Sequence, residues 1–311
     1  MSKIEVIGHT EKPSLPSVAT VGFFDGVHLG HRFLIDQLKA EAARRGMLSM
    51  VITFARHPRA VLQDDYVPQL LTQHKRKLEL LEQTGVDCVV VLDFDREMAG
   101  LTAREFMEQL LRNQLDVHCL LTGYDNRFGH NRAEGFDDYV GYGRELGMDV
   151  VRSKAFVLEG VNVSSSVIRS LLQEGEIELA NRCLGYHYNI CGRVVHGFQE
   201  GRKLGYPTAN IDVQDTNQLV PAMGVYAVRV RVEGDSLTYG GMMSIGTRPT
   251  YNGTECTQEV NIFHFEGDIY GREVEVEFVK RTRSEERYDN IRQLVDRLRQ
   301  DEIEIREILR M

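Results

Sequence analysis

The sequence predicts two domains: an α/β, doubly wound domain over residues 1–185 and a small antiparallel β-barrel or sandwich with a C-terminal helix over residues 186–311. Three observations predict this. The chain has 311 residues, about twice a typical domain length. In the first half, continuous apolar runs alternate with helical patterns, as parallel strands covered on both faces require. After Gly185 the period drops to two: Val228, Val230 and Val232 alternate with Arg229 and Arg231, and Val274, Val276 and Phe278 alternate with Glu273, Glu275 and Glu277. Antiparallel strands with one wet face read this way.

The elements follow in order. Residues 18–24 read as a strand, 32–45 as a helix that stops at Gly46, and 47–54 as a strand rich in Ile, Val and Thr. Helical spacing over 75–83 ends at Thr84 and Gly85, before the apolar run 88–94. Thr102 and Glu105 form a capping-box signature at the head of a helix reaching about Asn113. A strand over 117–121, a helix over 136–146 and a strand over 149–156 complete the half. Beyond Gly185, further strands are expected over 188–195, 238–245 and 259–265, and a helix over 288–309. Alternation alone fits a barrel or a sandwich. No linker or repeat separates the halves, and the boundary falls near 185–188.

Composition excludes several classes of function. Lys and Arg number 37 against 46 Asp and Glu, for a net charge of -9. Such a chain lacks the basic surface that nonspecific nucleic-acid binding needs. The 5 cysteines are scattered without a CxxC pair, so they read as reduced thiols rather than disulfides or a zinc site. No apolar run approaches the ~18 residues of a membrane span, and the N-terminus has no signal-peptide pattern. The expected compartment is the cytoplasm, with small-molecule partners and neither nucleic acid nor membrane. An oligomer is compatible with this reading.

Two segments carry chemistry. VGFFDGVHLGH (21–31) leaves a strand and enters a helix, the place where open parallel sheets offer free N–H groups to phosphates. Gly22, Gly26 and Gly30 let backbone approach a ligand. His28 and His31, three apart, share a face and can donate to phosphate oxygens. Nucleotidyl transfer needs such donors, because charge grows on the α-phosphate and on departing pyrophosphate. Neither GxxxxGK[ST] nor GxGxxG occurs, so no P-loop or dinucleotide fingerprint holds the nucleotide. Further on, Ser164, Ser165 and Ser166 precede Val167, Ile168 and Arg169. One serine can cap a helix that presents an anion site, with Arg169 as a planar donor, or the helix is simply capped. Asp125 reads equally well as a turn residue, and His57 before Pro58 can merely shape a loop.

The second segment is Gly197 with GRKLGYPTAN (201–210). A glycine loop able to close over phosphates leads to a fixed turn at Pro207. Thr208 and Asn210, two apart on a strand, point to one face. Two neutral oxygens suit a Mg²⁺ that keeps waters and binds ATP phosphates.

VGFFDGVHLGH resembles the start of the adenylyltransferase module of bacterial bifunctional riboflavin kinase/FAD synthetases. TFARHP (53–58), GYDNRFG (123–129) and SSSVIR (164–169) look like that family's later motifs, with Ser166 in place of the usual Thr. The resemblance implies an HxGH nucleotidyltransferase domain. Its ATP site would take Gly22, Phe23, Asp25, Gly26, His28, Gly30, His31, Asp125, Ser164, Ser165, Ser166 and Arg169. The C-terminal segment is similar to the riboflavin kinase signature G-x3-G-R-x-LG-[FY]-PTAN. It implies that Gly197, Gly201, Arg202, Gly205, Pro207, Thr208 and Asn210 bind ATP, with Thr208 and Asn210 on the metal. QEVNIFHFEGDIYG (258–271) resembles the kinase strand that carries the catalytic base, here Glu259; Asn261 replaces the usual histidine. LVPAMGVY (219–226), IGTRPT (245–250) and Arg283 also match, the last on the flavin side.

The resemblance thus implies phosphorylation of riboflavin to FMN and adenylylation of FMN to FAD, with ATP as substrate and Mg²⁺ as cofactor. A different HxGH adenylyl- or cytidylyltransferase would leave PTAN and Glu259 unexplained. A flavin-binding regulator without catalysis would not need His28, His31, Arg169, Thr208, Asn210 and Glu259.

Overall fold

The structure is a computed structural model that describes residues 4–8, 15–124, 127–130, 133–197, 200–213, 216–250 and 253–311. Its contacts divide the chain into two compact units, Met1–Pro68 with Gln73–Ser164, and Gln69–Thr72 with Ser165–Met311.

The first unit is a six-stranded sheet flanked by helices. In chain order it comprises β1 (Ile4–Gly8), β2 (Ser17–Val21), α1 (Leu29–Arg45), β3 (Leu48–Phe54), α2 (Pro58–Leu62), α3 (His74–Glu82), β4 (Cys88–Leu92), α4 (Arg96–Ala99) and α5 (Ala103–Glu105). A π-helical stretch (Phe106–Gln114), β5 (Val117–Thr122), α6 (Phe136–Leu146), β6 (Asp149–Arg152) and the short hairpin β7 (Val157–Leu158) and β8 (Val161–Asn162) follow. The order across the sheet is β1-β4-β3-β2-β5-β6. Strands β2 to β6 pair in parallel, and the chain order reverses between β2 and β5, the kind of switch point beside which open α/β sheets bind ligands. Every residue of β2 and β4 is buried, which is why both read as continuous apolar runs. The expectation of a wholly parallel sheet is corrected at one edge, where β1 runs antiparallel to β4. The capping box at Thr102 and Glu105 is formed, but the expected α-helix behind it becomes π-helical from Phe106.

The second unit comprises α7 (Ser165–Glu174), α8 (Ile177–Leu184), β9 (Asn189–Val195), α9 (Glu200–Lys203), β10 (Ala209–Asp212), β11 (Gly224–Val232), β12 (Thr238–Thr250), β13 (Gly253–Ile262), β14 (Glu273–Arg283) and α10 (Ile291–Leu309). Six antiparallel strands close into a barrel in the order β10-β13-β12-β11-β14-β9. Val228, Val230 and Val232 are buried while Arg229 and Arg231 face water, as the alternation requires. Ile305 and Leu309 of α10 pack on Val225, Ala227 and Met242.

The contacts divide the chain earlier than the 185/186 boundary that the sequence suggests. Residues 165–184 pack with the barrel through specific bonds. Asn181 Nδ2 donates to Phe278 O at 2.8 Å, the Tyr188 N–H donates to Asn181 Oδ1 at 2.7 Å, and the Ala222 N–H donates to Leu172 O at 3.0 Å. Ile168, Leu172, Ile177, Cys183 and Leu184 are buried.

Candidate active sites

In the first unit the loop after β2 is pinned to β3. The Gly22 N–H donates to Ile52 O at 3.0 Å, and the Thr53 hydroxyl donates to Phe23 O at 3.0 Å. Phe24, Gly26 and Val27 all have positive φ, 56°, 80° and 36°. Left-handed backbone on two non-glycine residues of a buried turn is strain of the kind held at functional sites. The turn delivers His28 as the N-cap of α1, where its Nδ1 accepts from the His31 N–H at 3.2 Å. A neutral His28 therefore carries its proton on Nε2. The His28 and His31 rings stack at 3.6 Å with 18° between planes, and Phe24 lies 5.0 Å from His31.

Two stacked imidazolium rings would repel. Burial, followed by the charges of His28 and Lys77, holds His31 well below the ordinary histidine pKa. His31 Nδ1 is buried with no hydrogen-bond partner among the described residues. Gly30 cannot be larger: a Cβ there would lie 2.9 Å from Val163 O and 3.1 Å from His28 Nδ1. The residue before Ser164 thus abuts the head of α1.

Lys77 was not singled out in the sequence, yet it sits beneath this loop. It is 2 % exposed, its Nζ donates to Phe54 O at 2.8 Å, and the ammonium lies 4.1 Å from the Phe23 ring centre. Burial lowers its pKa to about 8, with the Asp25 carboxylate pulling the other way. Its spacing from Leu80 and Leu81, all buried on one face of α3, was the available signal.

Among the first-unit candidates, Gly22, Phe23, Asp25, Gly26, His28, Gly30 and His31 form this one loop and helix head. Nearby, the Phe23 ring meets His57 edge-on at 4.8 Å. Asp125 lies outside the described residues. Ser165, Ser166 and Arg169 open α7 and count with the second unit, where Arg169 Nε donates to Gln69 O at 2.7 Å.

In the barrel, β10 lies between β9 and β13, with Asn210 opposite Glu259 in register. The Thr208 hydroxyl donates to Glu259 Oε2 at 3.0 Å. Thr208, Asn210 and Glu259 therefore gather at one place although 51 positions separate the first from the last. Gly197 lies so close to Asn210 that a Cβ would overlap its amide, and a Cβ on Gly201 would overlap Tyr206 O. Only glycine at 197 and at 201 allows approaches this close. Gly205 has φ 85°, Pro207 leads into Thr208, and Arg202 is exposed on α9.

Arg283, expected on the flavin side, is held by a buried carboxylate of α10. Its Nε and Nη2 donate to the buried Asp301 carboxylate at 2.7–3.1 Å, and Nη1 donates to Ser284 O at 3.0 Å. With Arg297 bound to the same carboxylate at 3.1 Å, the guanidinium is committed to anchoring α10 on β14.

A doubly wound unit with a histidine pair at a strained helix head, followed by a barrel with a Thr–Asn–Glu cluster, is the arrangement expected of a two-site nucleotide-dependent transferase. Residues 10–167 match the FAD synthetase family, and residues 184–309 match the riboflavin kinase family. The bifunctional riboflavin kinase/FMN adenylyltransferase of Escherichia coli K12 is 38% identical over 96% of this chain and 94% of its own length. That of Bacillus subtilis is 36% identical over 93% and 91%. A crystal structure described as a macrolide-efflux protein from Streptococcus pneumoniae superposes with a TM-score of 0.84 at 32% identity, covering 96% of this chain and 95% of that one. No described helix of the present chain is long and apolar enough to cross a membrane. The chain belongs to the bifunctional riboflavin kinase/FMN adenylyltransferase family.

Proposed function

We propose that the family's two activities are divided between the two units, with riboflavin phosphorylated at the barrel and FMN adenylylated at the loop after β2. The chain is a riboflavin kinase and FMN adenylyltransferase, making FMN and then FAD. The observation that carries the division is the Thr208–Glu259 hydrogen bond beside Asn210, a nucleotide-and-base cluster built wholly from the second unit.

At the barrel, Glu259 takes the proton of the ribityl hydroxyl as its oxygen bonds to the γ-phosphorus and ADP leaves. The Thr208 hydroxyl donates its hydrogen bond to Glu259, which leaves its oxygen lone pairs for a metal, with the Asn210 amide oxygen, two residues on, as a second neutral ligand. Two neutral oxygens next to one carboxylate fit Mg²⁺, and Thr208 and Asn210 would hold it against the nucleotide phosphates. When bound, the metal neutralises phosphate charge. Gly197, Gly201, Arg202, Gly205 and Pro207 shape the loop and turn that enclose the phosphates.

At the first unit, an FMN phosphate oxygen attacks the α-phosphorus of ATP, and pyrophosphate leaves with the electron pair of the broken bond. His28, from Nε2, and a neutral His31 donate to the oxygens on which charge grows, with the free N–H groups of the α1 head beside them. Gly22, Phe23, Asp25, Gly26 and Gly30 set the loop that holds the pair, and Lys77 fixes that loop to the end of β3.

Product analysis with riboflavin, ATP and Mg²⁺ tests the division. FMN appears first, and FAD follows with one pyrophosphate each. His28→Ala lowers FAD formation by roughly 10²–10³ while FMN accumulates. Glu259→Gln lowers FMN formation by about 10²–10⁴ while supplied FMN is still adenylylated. Equal loss of both activities in either variant overturns it.

A further inference from the structure

Asn261 stands where the resembling family has histidine, and the structure gives it a specific partner. It lies on β13 two residues beyond Glu259 and is 8 % exposed. Its Nδ2 donates to the carbonyl oxygen of Pro207 at 2.7 Å. Only the amide nitrogen can donate to a carbonyl, so the orientation of the side chain is fixed by this bond.

The location of the bond matters. The β10–β13 ladder pairs Asn210 with Glu259 and Ala209 with Val260, and stops there. The next position would set Thr208 against Asn261. The residue before it is Pro207, which has no N–H to extend a ladder. A side chain replaces the missing backbone link. The Pro207 carbonyl belongs to the peptide plane that leads into Thr208, so holding that oxygen orients the Thr208 backbone and with it the hydroxyl. Thr208 in turn donates to Glu259 Oε2 at 3.0 Å, on the same strand as Asn261. Two hydrogen bonds thus close a ring through Glu259, Thr208, Pro207 and Asn261. One side of that ring carries the base, and the other carries an oxygen offered to the nucleotide's metal.

We propose that Asn261 is a positioning residue of the kinase site, whose side-chain amide holds the Pro207 carbonyl and thereby sets the Thr208 hydroxyl against the Glu259 carboxylate. The inference rests on the kinase reading of the barrel. Asn261 touches neither nucleotide nor flavin in this role. It acts through the turn, so its loss shifts Thr208 and Asn210 relative to Glu259, and small misplacements of this kind cost up to about 10²-fold in rate.

The experiment uses the full chain with Asn261→Asp, which keeps the shape and replaces the donor by an acceptor, Asn261→Leu, which removes it, and Asn261→His, whose ring N–H restores one. Kinase kcat and KM are measured separately for MgATP and riboflavin, MgADP binding is followed by calorimetry, and adenylylation of supplied FMN serves as the internal control of folding. Expected are a fall of about 10- to 100-fold in kcat/KM for MgATP in the Asp and Leu variants, weakened MgADP binding, and an unchanged KM for riboflavin. Asn261→His recovers kinase activity to within about threefold, and FMN adenylylation stays at the level of the parent throughout. A merely structural asparagine would lower the melting temperature of the barrel without this split between the two substrates. The proposal is overturned if a folded Asp or Leu variant keeps its kcat/KM for MgATP, or if Asn261→His falls as far as they do. If Glu259→Gln and Thr208→Ala also leave the kinase intact, the reading of the barrel site has failed rather than the role of Asn261.

Discussion

Lys77 keeps a charge that burial disfavours, and Lys77→Met exposes the cost. A lysine's ordinary pKa of 10.5 falls to about 8 here because burial penalises the ammonium. Each pKa step is worth about 1.4 kcal/mol, so the charged form is disfavoured in the fold by about 3 kcal/mol. Methionine has similar length and no charge. It forfeits the hydrogen bond to Phe54 O, worth about 1 kcal/mol net. Methionine also forfeits the ammonium–Phe23 contact, worth about 1 kcal/mol, and the balance makes Lys77→Met more stable than the parent by about 1 kcal/mol at pH 7.

The pH dependence gives the sign. Between pH 8 and 10.5 the unfolded chain still holds the Lys77 proton while the folded chain has released it, so the parent gains stability as pH rises through this window. Below pH 8 both states are protonated and the penalty is present in full. Lys77→Met lacks this slope. Calorimetric unfolding at pH 7 and pH 10.5 should therefore show the variant ahead at neutral pH and level or slightly behind at alkaline pH. FAD formation should meanwhile fall at least about tenfold, because the GFFDG loop loses one of its ties to β3 and its nearby charge. Destabilisation at pH 7 with a pH-independent difference would refute the reasoning and make Lys77 an ordinary packing residue. Unchanged FAD formation would remove it from the site.

Other consequences are direct. Gly197→Ala drives a methyl into the Asn210 amide, so FMN formation should drop by about 10²-fold while supplied FMN is adenylylated normally; a normal kinase rate would mean the loop does not close there. Asp301→Ala leaves Arg283 and Arg297 without their buried carboxylate and should cost the barrel about 3–5 kcal/mol in denaturant titration, with riboflavin affinity of the folded protein retained. A fragment of residues 165–311 should fold more stably and make more FMN than one of residues 186–311, because the shorter piece loses the Asn181 bonds and the apolar faces of α7 and α8. Equal melting temperatures for the two fragments would show that residues 165–184 contribute nothing to the barrel.

Periodicity made most of both units legible, because burial on two faces or on one leaves a direct mark on residue order. The buried runs of β2 and β4 and the alternation along β11 and β14 are of this kind. The antiparallel β1 was not, since a five-residue edge strand carries no period long enough to count. Nor was the attachment of α7 and α8, because an amphipathic helix shows that it has an apolar face but not which core receives it. The site divides in the same way. His28 and His31 are three apart, and Thr208 and Asn210 two apart, so local geometry already places each pair together.

Lys77, Asn261 and Arg283 depend instead on partners far along the chain. Lysine in a helix pattern reads as a solvated charge until Phe54 O and the Phe23 ring close over it. Arg283 reads as a residue of the flavin side, and nothing in a sequence shows that the Asp301 carboxylate, eighteen residues later, lies against its donors. Asn261 read as a gap in a motif, though its amide meets Pro207, 54 residues earlier, through strand pairing that only the closed barrel creates. A polar residue's function is set by whichever donor or acceptor the fold brings within 3 Å, and that choice is made by topology rather than by the neighbours in sequence.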